Sequence, residues 1–170
     1  MNKYNFFWSG PFSQWYRSSF IIDNITYNCA EQYMMHQKAL LFNDHEIAKK
    51  IMKTQDPRKQ KALGKEVKNF TMKVWNEHCL AIVFRGNHAK FSQNRRLYTM
   101  LMNTIPSILV EASPYDTIWG IGLDEEKAKV TPEDQWPGTN WLGYTLTNLR
   151  DFFENEEIIQ QELKQRKSNV

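Results

Sequence analysis

Asn28-Cys29-Ala30-Glu31-Gln32-Tyr33-Met34-Met35-His36-Gln37-Lys38 is the stretch on which the reading of this chain turns. Asn28 is a good N-cap, and Glu31 stands three residues on, where a side chain can reach back to the N–H of the cap. The stretch therefore reads as the start of a helix. Glu31 then has two readings: it is a capping partner, or it is a carboxylate on a first helical turn that faces whatever the preceding chain delivers. Lys38, seven residues later, falls on the same helical face two turns away. The pair is either solvent-facing and too far apart to form a salt bridge, or a carboxylate and an ammonium that act on one ligand.

Working outward, Phe20, Ile22, Ile25 and Tyr27 flank Asp23-Asn24, a dipeptide suited to a two-residue turn, and this predicts a hairpin. Upstream, Trp8 to Tyr16 mixes Gly10 and Pro11 with rings and reads as a loop. Downstream, Asn43 with Glu46 predicts a capped helix, and Asp56-Pro57 opens a short one that Gly64 ends. Val67, Phe70, Val74, Trp75, Cys79 and Ile82 trace a longer helical stripe. Asn94 caps a further helix through Leu97 and Leu101, and Ile108-Leu109-Val110 reads as a strand. Between Trp119 and Gly143 lie four of the seven glycines and three of the six tryptophans, a composition suited to a loop folded around a ligand. Gly120 and Gly122 would let backbone approach closely, and Trp119 offers a flat stacking face. Asn140 caps the last core helix, marked by Leu142, Leu146, Leu149 and Phe153.

The 170 residues fit one domain, assigned to 1–153, with a charged helical tail over 154–170. No apolar run approaches a membrane span, and the opening residues lack the apolar core of a secretory signal, so a cytoplasmic protein without a membrane partner is expected. Cys29 and Cys79 form no C-x-x-C, and the four histidines have no ligand spacing, so neither metal nor cofactor is expected. Net charge is only +3, yet Lys49 to Lys73 holds nine basic residues against Asp56 and Glu66. That block reads as a solvated helix face or as a surface for a polyanion.

Six motifs follow one another in order and spacing: Phe12-Ser-Gln-Trp-Tyr16; Tyr27 to Tyr33 with Gln37-Lys38; Ala89 to Gln93; Leu109-Val-Glu-Ala-Ser113; Asp116 to Leu123; and Trp136 to Gly143. Together they resemble the NADAR (YbiA-like) family over roughly residues 5 to 153. The resemblance implies a compact, predominantly helical α+β domain with a small sheet or hairpin, and hydrolysis of N-glycosidic bonds to ribose. It places the catalytic glutamate on Glu31, a stacking tryptophan on Trp119 and a loop asparagine on Asn140, with Lys38, Ser13 and Asp116 in or near the pocket. Asp116 also reads as a turn residue after Ser113-Pro114-Tyr115. The substrate implied is an ADP-ribosylated nucleobase, with guanine in DNA favoured, so that DNA becomes a partner. The alternatives are a ribosylamino-pyrimidine phosphate of riboflavin synthesis and a non-catalytic module that binds ADP-ribose. Ile121 after Trp119-Gly120 departs from the acidic residue that riboflavin-branch members can carry there.

Overall fold

The computed structural model describes residues 3–168; residues 1–2 and 169–170, the ends of the two stretches assigned above, lie outside it. In chain order the elements are β1 (Tyr4–Phe7), β2 (Phe20–Ile22), β3 (Ile25–Tyr27), α1 (Ala30–Leu41), α2 (His45–Lys53), α3 (Pro57–Lys65), α4 (Met72–Ser92), α5 (Arg95–Met102), β4 (Ile108–Glu111), α6 (Glu125–Val130) and α7 (Trp141–Ser168). Helices dominate, and the strands form two separate pairs. β2 and β3 are the expected hairpin, with Phe20 opposite Tyr27. Asp23 and Asn24 both adopt positive φ, at 51° and 62°, as a two-residue turn matched to strand twist requires. β4 is also where the apolar run placed it. Its partner, the parallel strand β1, was not anticipated, and the register sets Tyr4 beside Ile108.

β4 is covered on both faces because alternate side chains enter different cores. Leu109 joins the main cluster with Leu142, Leu146 and Leu149 of α7, while Val110 packs with Ile121 and Ala128. α1 is the central helix: its residues from Ala30 to His36 are all buried, as expected for a helix enclosed on every side. Its polar members find partners, such as the Tyr27 hydroxyl at 3.0 Å from His36 Nδ1.

Several boundaries differ from the sequence reading. Cys29, not Asn28, is the N-cap of α1. Asn28 instead spends its side chain on Gln55 and Gln60. The residue that reaches back is Gln32, whose Oε1 accepts the Asn28 N–H at 2.8 Å. Glu31 is thereby released from capping. α2 is capped by Asp44, whose Oδ1 accepts the Ile47 N–H, while Asn43 takes φ 58° just before it. α3 ends at Lys65, one residue past Gly64, and Gly64 stands where a side chain has no room, since a Cβ there would meet Met35 Sδ at 2.0 Å. Val67 and Phe70 precede the long helix, which begins at Met72. Asn94 precedes α5 without capping it, since its amide donates to the carbonyls of Ser19 and Lys90. The glycine- and tryptophan-rich loop contains α6. α7 runs unbroken past Phe153, the last residue of the core, and the Tyr98 hydroxyl donates to Glu157 beyond it.

Candidate functional site

A cleft of about 430 Å³ opens over the N-terminal half of α1, within the usual range for a small-molecule site. Glu31, Met34, Met35 and Lys38 form its floor, spaced so that all four share one helical face. Lys61, Gly64 and Lys65 of α3, with Trp75 of α4, make one wall. The loop after β1 makes another with Trp8, Ser13, Gln14 and Trp15. Glu111 and Ser113, at and just past the end of β4, and the loop residues Tyr115, Asp116 and Trp119 close the remaining side.

Backbone bonds fix the loop after β1. The Glu31 N–H, one of the donors that a helix start leaves without an intrahelical partner, donates to the Gln14 carbonyl at 2.9 Å. Lys90, with no exposed surface, sends its Nζ to the Ser13 carbonyl at 2.9 Å. Burial pushes that ammonium down to about 7. Gln14 accepts from Asn87 Nδ2 at 2.8 Å. The loop therefore rests on α1 and α4, and its position aims Glu31 into the cleft.

Of the residues singled out in the sequence, Glu31, Lys38, Ser13, Asp116 and Trp119 line the cleft together. Lys38 is held along the wall: its Nζ donates to the Gly64 carbonyl at 2.8 Å and lies 4.2 Å from the centre of the Phe70 ring. Asp116 lines the cleft and is also a turn residue. Its Oδ1 accepts the N–H groups of Ile118 and Trp119, as an Asx-type turn requires, while Oδ2 lies 3.7 Å from Lys61 Nζ. Trp119 packs edge-to-face on Trp141, ring centroids 5.8 Å apart.

Gly120, Gly122 and Asn140 are not among the lining residues. The close approach at Gly120 is real but is made to the protein: a Cβ there would meet the Glu111 carbonyl at 2.9 Å. Gly122 has φ 73° and packs under Pro137. Asn140 is buried and spans β4, its Oδ1 accepting the Glu111 N–H at 2.9 Å and its Nδ2 donating to the Leu109 carbonyl at 3.0 Å. It therefore ties the start of α7 to the strand that carries Glu111.

The sequence reading missed Glu111, Lys61 and Trp75. Two signals could have found Glu111: it is the acidic residue that ends an otherwise buried apolar strand, and it lies inside the motif Leu109 to Ser113. Lys61 was hidden within the basic block, and the helical stripe assigned Trp75 to the core alone.

Burial pushes the Glu31 carboxyl up to about 7, opposed by the Lys61 charge and by a hydrogen bond from the Trp15 side chain. Burial also lifts Glu111, to about 8, and there the Asp116 charge adds to the rise while Lys61 opposes it. Two carboxyls poised near neutrality beside aromatic walls and a lysine are equipped to move protons and to face developing positive charge. Among the described residues no group of three or more His, Cys, Asp or Glu is arranged to hold a metal, and no helix is long and apolar enough to cross a membrane.

Known proteins resemble this chain in sequence and in fold. N-glycosidase R617 of Acanthamoeba polyphaga mimivirus is 45% identical over 151 residues, covering 86% of this chain and 88% of its own. N-glycosidase YbiA of Escherichia coli is 28% identical over 142 residues, covering 84% of this chain and 80% of its own. The NMR structure of E. coli YbiA superposes with a TM-score of 0.77, at 26% identity, over 93% of this chain and 89% of that one. The riboflavin biosynthesis protein PYRR of Arabidopsis thaliana is 33% identical over 88 residues, which is 52% of this chain and 13% of that protein. Residues 6–154 match the NADAR domain, and the chain belongs to that family.

Proposed function

We propose that this NADAR enzyme, an N-glycoside hydrolase like its relatives, cuts the ribose C1′–N bond of an ADP-ribosylated nucleobase, with ADP-ribosylated guanine in DNA as the substrate. The observation that carries the reading is the meeting of Glu31 with Lys61 and Lys65 in one cleft. The basic block, which the sequence left as either a solvated face or a polyanion surface, reaches the carboxylate through α3. Breaking a C1′–N bond builds positive charge on the sugar, and Glu31 is placed to face it. Lys61 and Lys65 suit the diphosphate, and Trp119 and Trp15 offer rings to a base.

Arg58 and Lys59 extend the same charge along α3 outside the cleft lining and are exposed. A DNA substrate would use them. Arg58→Gln with Lys59→Gln is expected to raise KM for an ADP-ribosylated oligonucleotide and to flatten its salt slope by about one phosphate contact per charge. Cleavage of a short modified nucleotide should barely change. An unaltered slope on the oligonucleotide would make the charges a solvated surface.

For Trp119 the expected result is weaker binding by about 1–3 kcal/mol in Trp119→Ala, measured as the Kd of ADP-ribose, with part of it recovered in Trp119→Phe. An unchanged Kd with a large drop in urea midpoint would assign Trp119 to packing on Trp141 alone.

The similarity to PYRR favours a second reading, in which the base is a ribosylamino-pyrimidine phosphate of riboflavin synthesis. Assaying the protein on ADP-ribosylated DNA and on those phosphates in parallel separates the two. ADP-ribose binding without turnover of either substrate would leave a binding module.

A further inference from the structure

Glu111 closes β4 with its backbone held from both sides: its N–H donates to Asn140 Oδ1 at 2.9 Å, and its carbonyl accepts the Ile121 N–H at 3.0 Å. The side chain has no such support. It lines the cleft, and its Oε2 is buried without a hydrogen-bond partner. A buried carboxylate oxygen left unpaired is costly, so the site favours the neutral acid, whose proton a ligand can then accept. The surrounding charges agree. Asp116 from the loop and Glu31 from α1 both oppose ionisation of Glu111, and Lys61 from α3 is the cation set against them. Lys61 is itself paired with Asp116, and Lys38 is bonded to the Gly64 carbonyl. Lys61 favours the charged form of both carboxyls, and the Trp15 side chain that of Glu31 alone. Two carboxyls thus share one cleft, Glu31 bonded by the Trp15 side chain and Glu111 with an oxygen left unpaired, an asymmetry that suits the first to hold charge and the second to hold a proton.

We infer that Glu111 is the acid of the reaction, delivering a proton from its unpartnered oxygen to the base nitrogen that leaves C1′. This assignment rests on the N-glycosidase reading above. As the C1′–N bond breaks, its electron pair stays on the nitrogen, which takes the Glu111 proton. The positive charge left on C1′ and the ring oxygen faces the Glu31 carboxylate. Water then adds to C1′, and the proton it sheds returns to Glu111. The sum is one base and one ribose hydroxyl from one N-glycoside and one water. Glu31 must be ionised and Glu111 protonated, so the rate should follow a bell in pH with its limbs near the two carboxyls.

The test uses the whole chain and two substrates. One is the N-ribosyl compound that the parent turns over in the parallel assay. The other is ADP-ribose carrying 4-nitrophenolate at the same carbon, a group that leaves without a proton. Glu111→Gln preserves side-chain shape and is expected to lose about 10²–10⁴ in kcat on the N-ribosyl substrate. On the nitrophenolate it should stay within about tenfold of the parent, the alkaline limb of its pH profile should vanish, and its Kd for ADP-ribose should hold. Glu111→Asp, which keeps an acid at shorter reach, should recover part of the loss. Equal losses on both substrates, or an alkaline limb that persists in Glu111→Gln, overturn the acid role while leaving the N-glycosidase reading intact. A parent that cuts no N-ribosyl substrate overturns both.

Discussion

Glu31→Gln is expected to lose on the order of 10² to 10⁴ in turnover and to gain, not lose, thermal stability above neutral pH. The loss follows from geometry. The carboxylate lies on the cleft floor, where positive charge on the sugar would form, and an amide of the same shape cannot supply the opposing charge. The gain follows from linkage. In the unfolded chain Glu31 releases its proton near 4.5, but in the folded protein only near 7. Folding therefore favours the neutral form, a contribution fully present below pH 4.5 and lost as pH rises through 7. By pH 8 it amounts to a destabilisation on the order of 3 kcal/mol that Gln does not suffer. Melting curves of parent and variant should coincide at pH 4.5 and separate towards pH 8. Because Gln32, not Glu31, reaches back at the helix start, the substitution spares the cap. Full activity in the variant would remove Glu31 from the chemistry.

Asn140→Ala is expected to show the reverse signature, a loss of roughly 2–4 kcal/mol in stability, because two buried backbone groups on β4 lose their partners at about 1–3 kcal/mol each. Its φ of 53° adds to the cost, since Asn tolerates the left-handed region better than Ala. Activity should fall secondarily, as Glu111 loses its anchor. Urea midpoints report the first effect, and the Kd for ADP-ribose on the folded fraction reports the second. A normal midpoint with a weakened Kd would restore Asn140 to the ligand, the role the motif resemblance gave it.

The fold was legible wherever a local rule acts alone. Asp23-Asn24 marks a hairpin because few dipeptides accept two positive φ values, and Asp56-Pro57 marks a helix start because proline needs no donor there. Reading failed where tertiary contacts overrode such rules. Gly64 looks like a stop signal until Met35 is seen against it, and Asn28 looks like a cap until Gln55 and Gln60 claim its side chain. The site divides the same way. Glu31 and Lys38 were found together because one helical face links them, and Trp119 and Asp116 because they share a motif. Glu111 lies in a motif too, Leu109 to Ser113, but it and Lys61 are brought to Glu31 by the packing of β4 and α3, which the spacing within one element does not encode. Asn140 shows the converse: a polar residue at a loop's end looks like a ligand contact, and here its two side-chain bonds are made to β4.

The pairing of Tyr4 with Ile108 has a consequence for the protein as it is made. Emerging from a ribosome, β1 has no strand to lie against until Ile108–Glu111 follows it out, and that strand stays uncovered until α7 arrives. A nascent chain halted before Ile108 can already wind α1 and carry Glu31. It lacks Glu111, Asp116 and Trp119, and although Ser13 and Gln14 can already lean on α1 and α4, β1 itself has nothing to pair with. Contacts this distant in sequence form late. Glu31 is thus made well before Ile108, while the chamber around it closes only once β4 and α7 have followed.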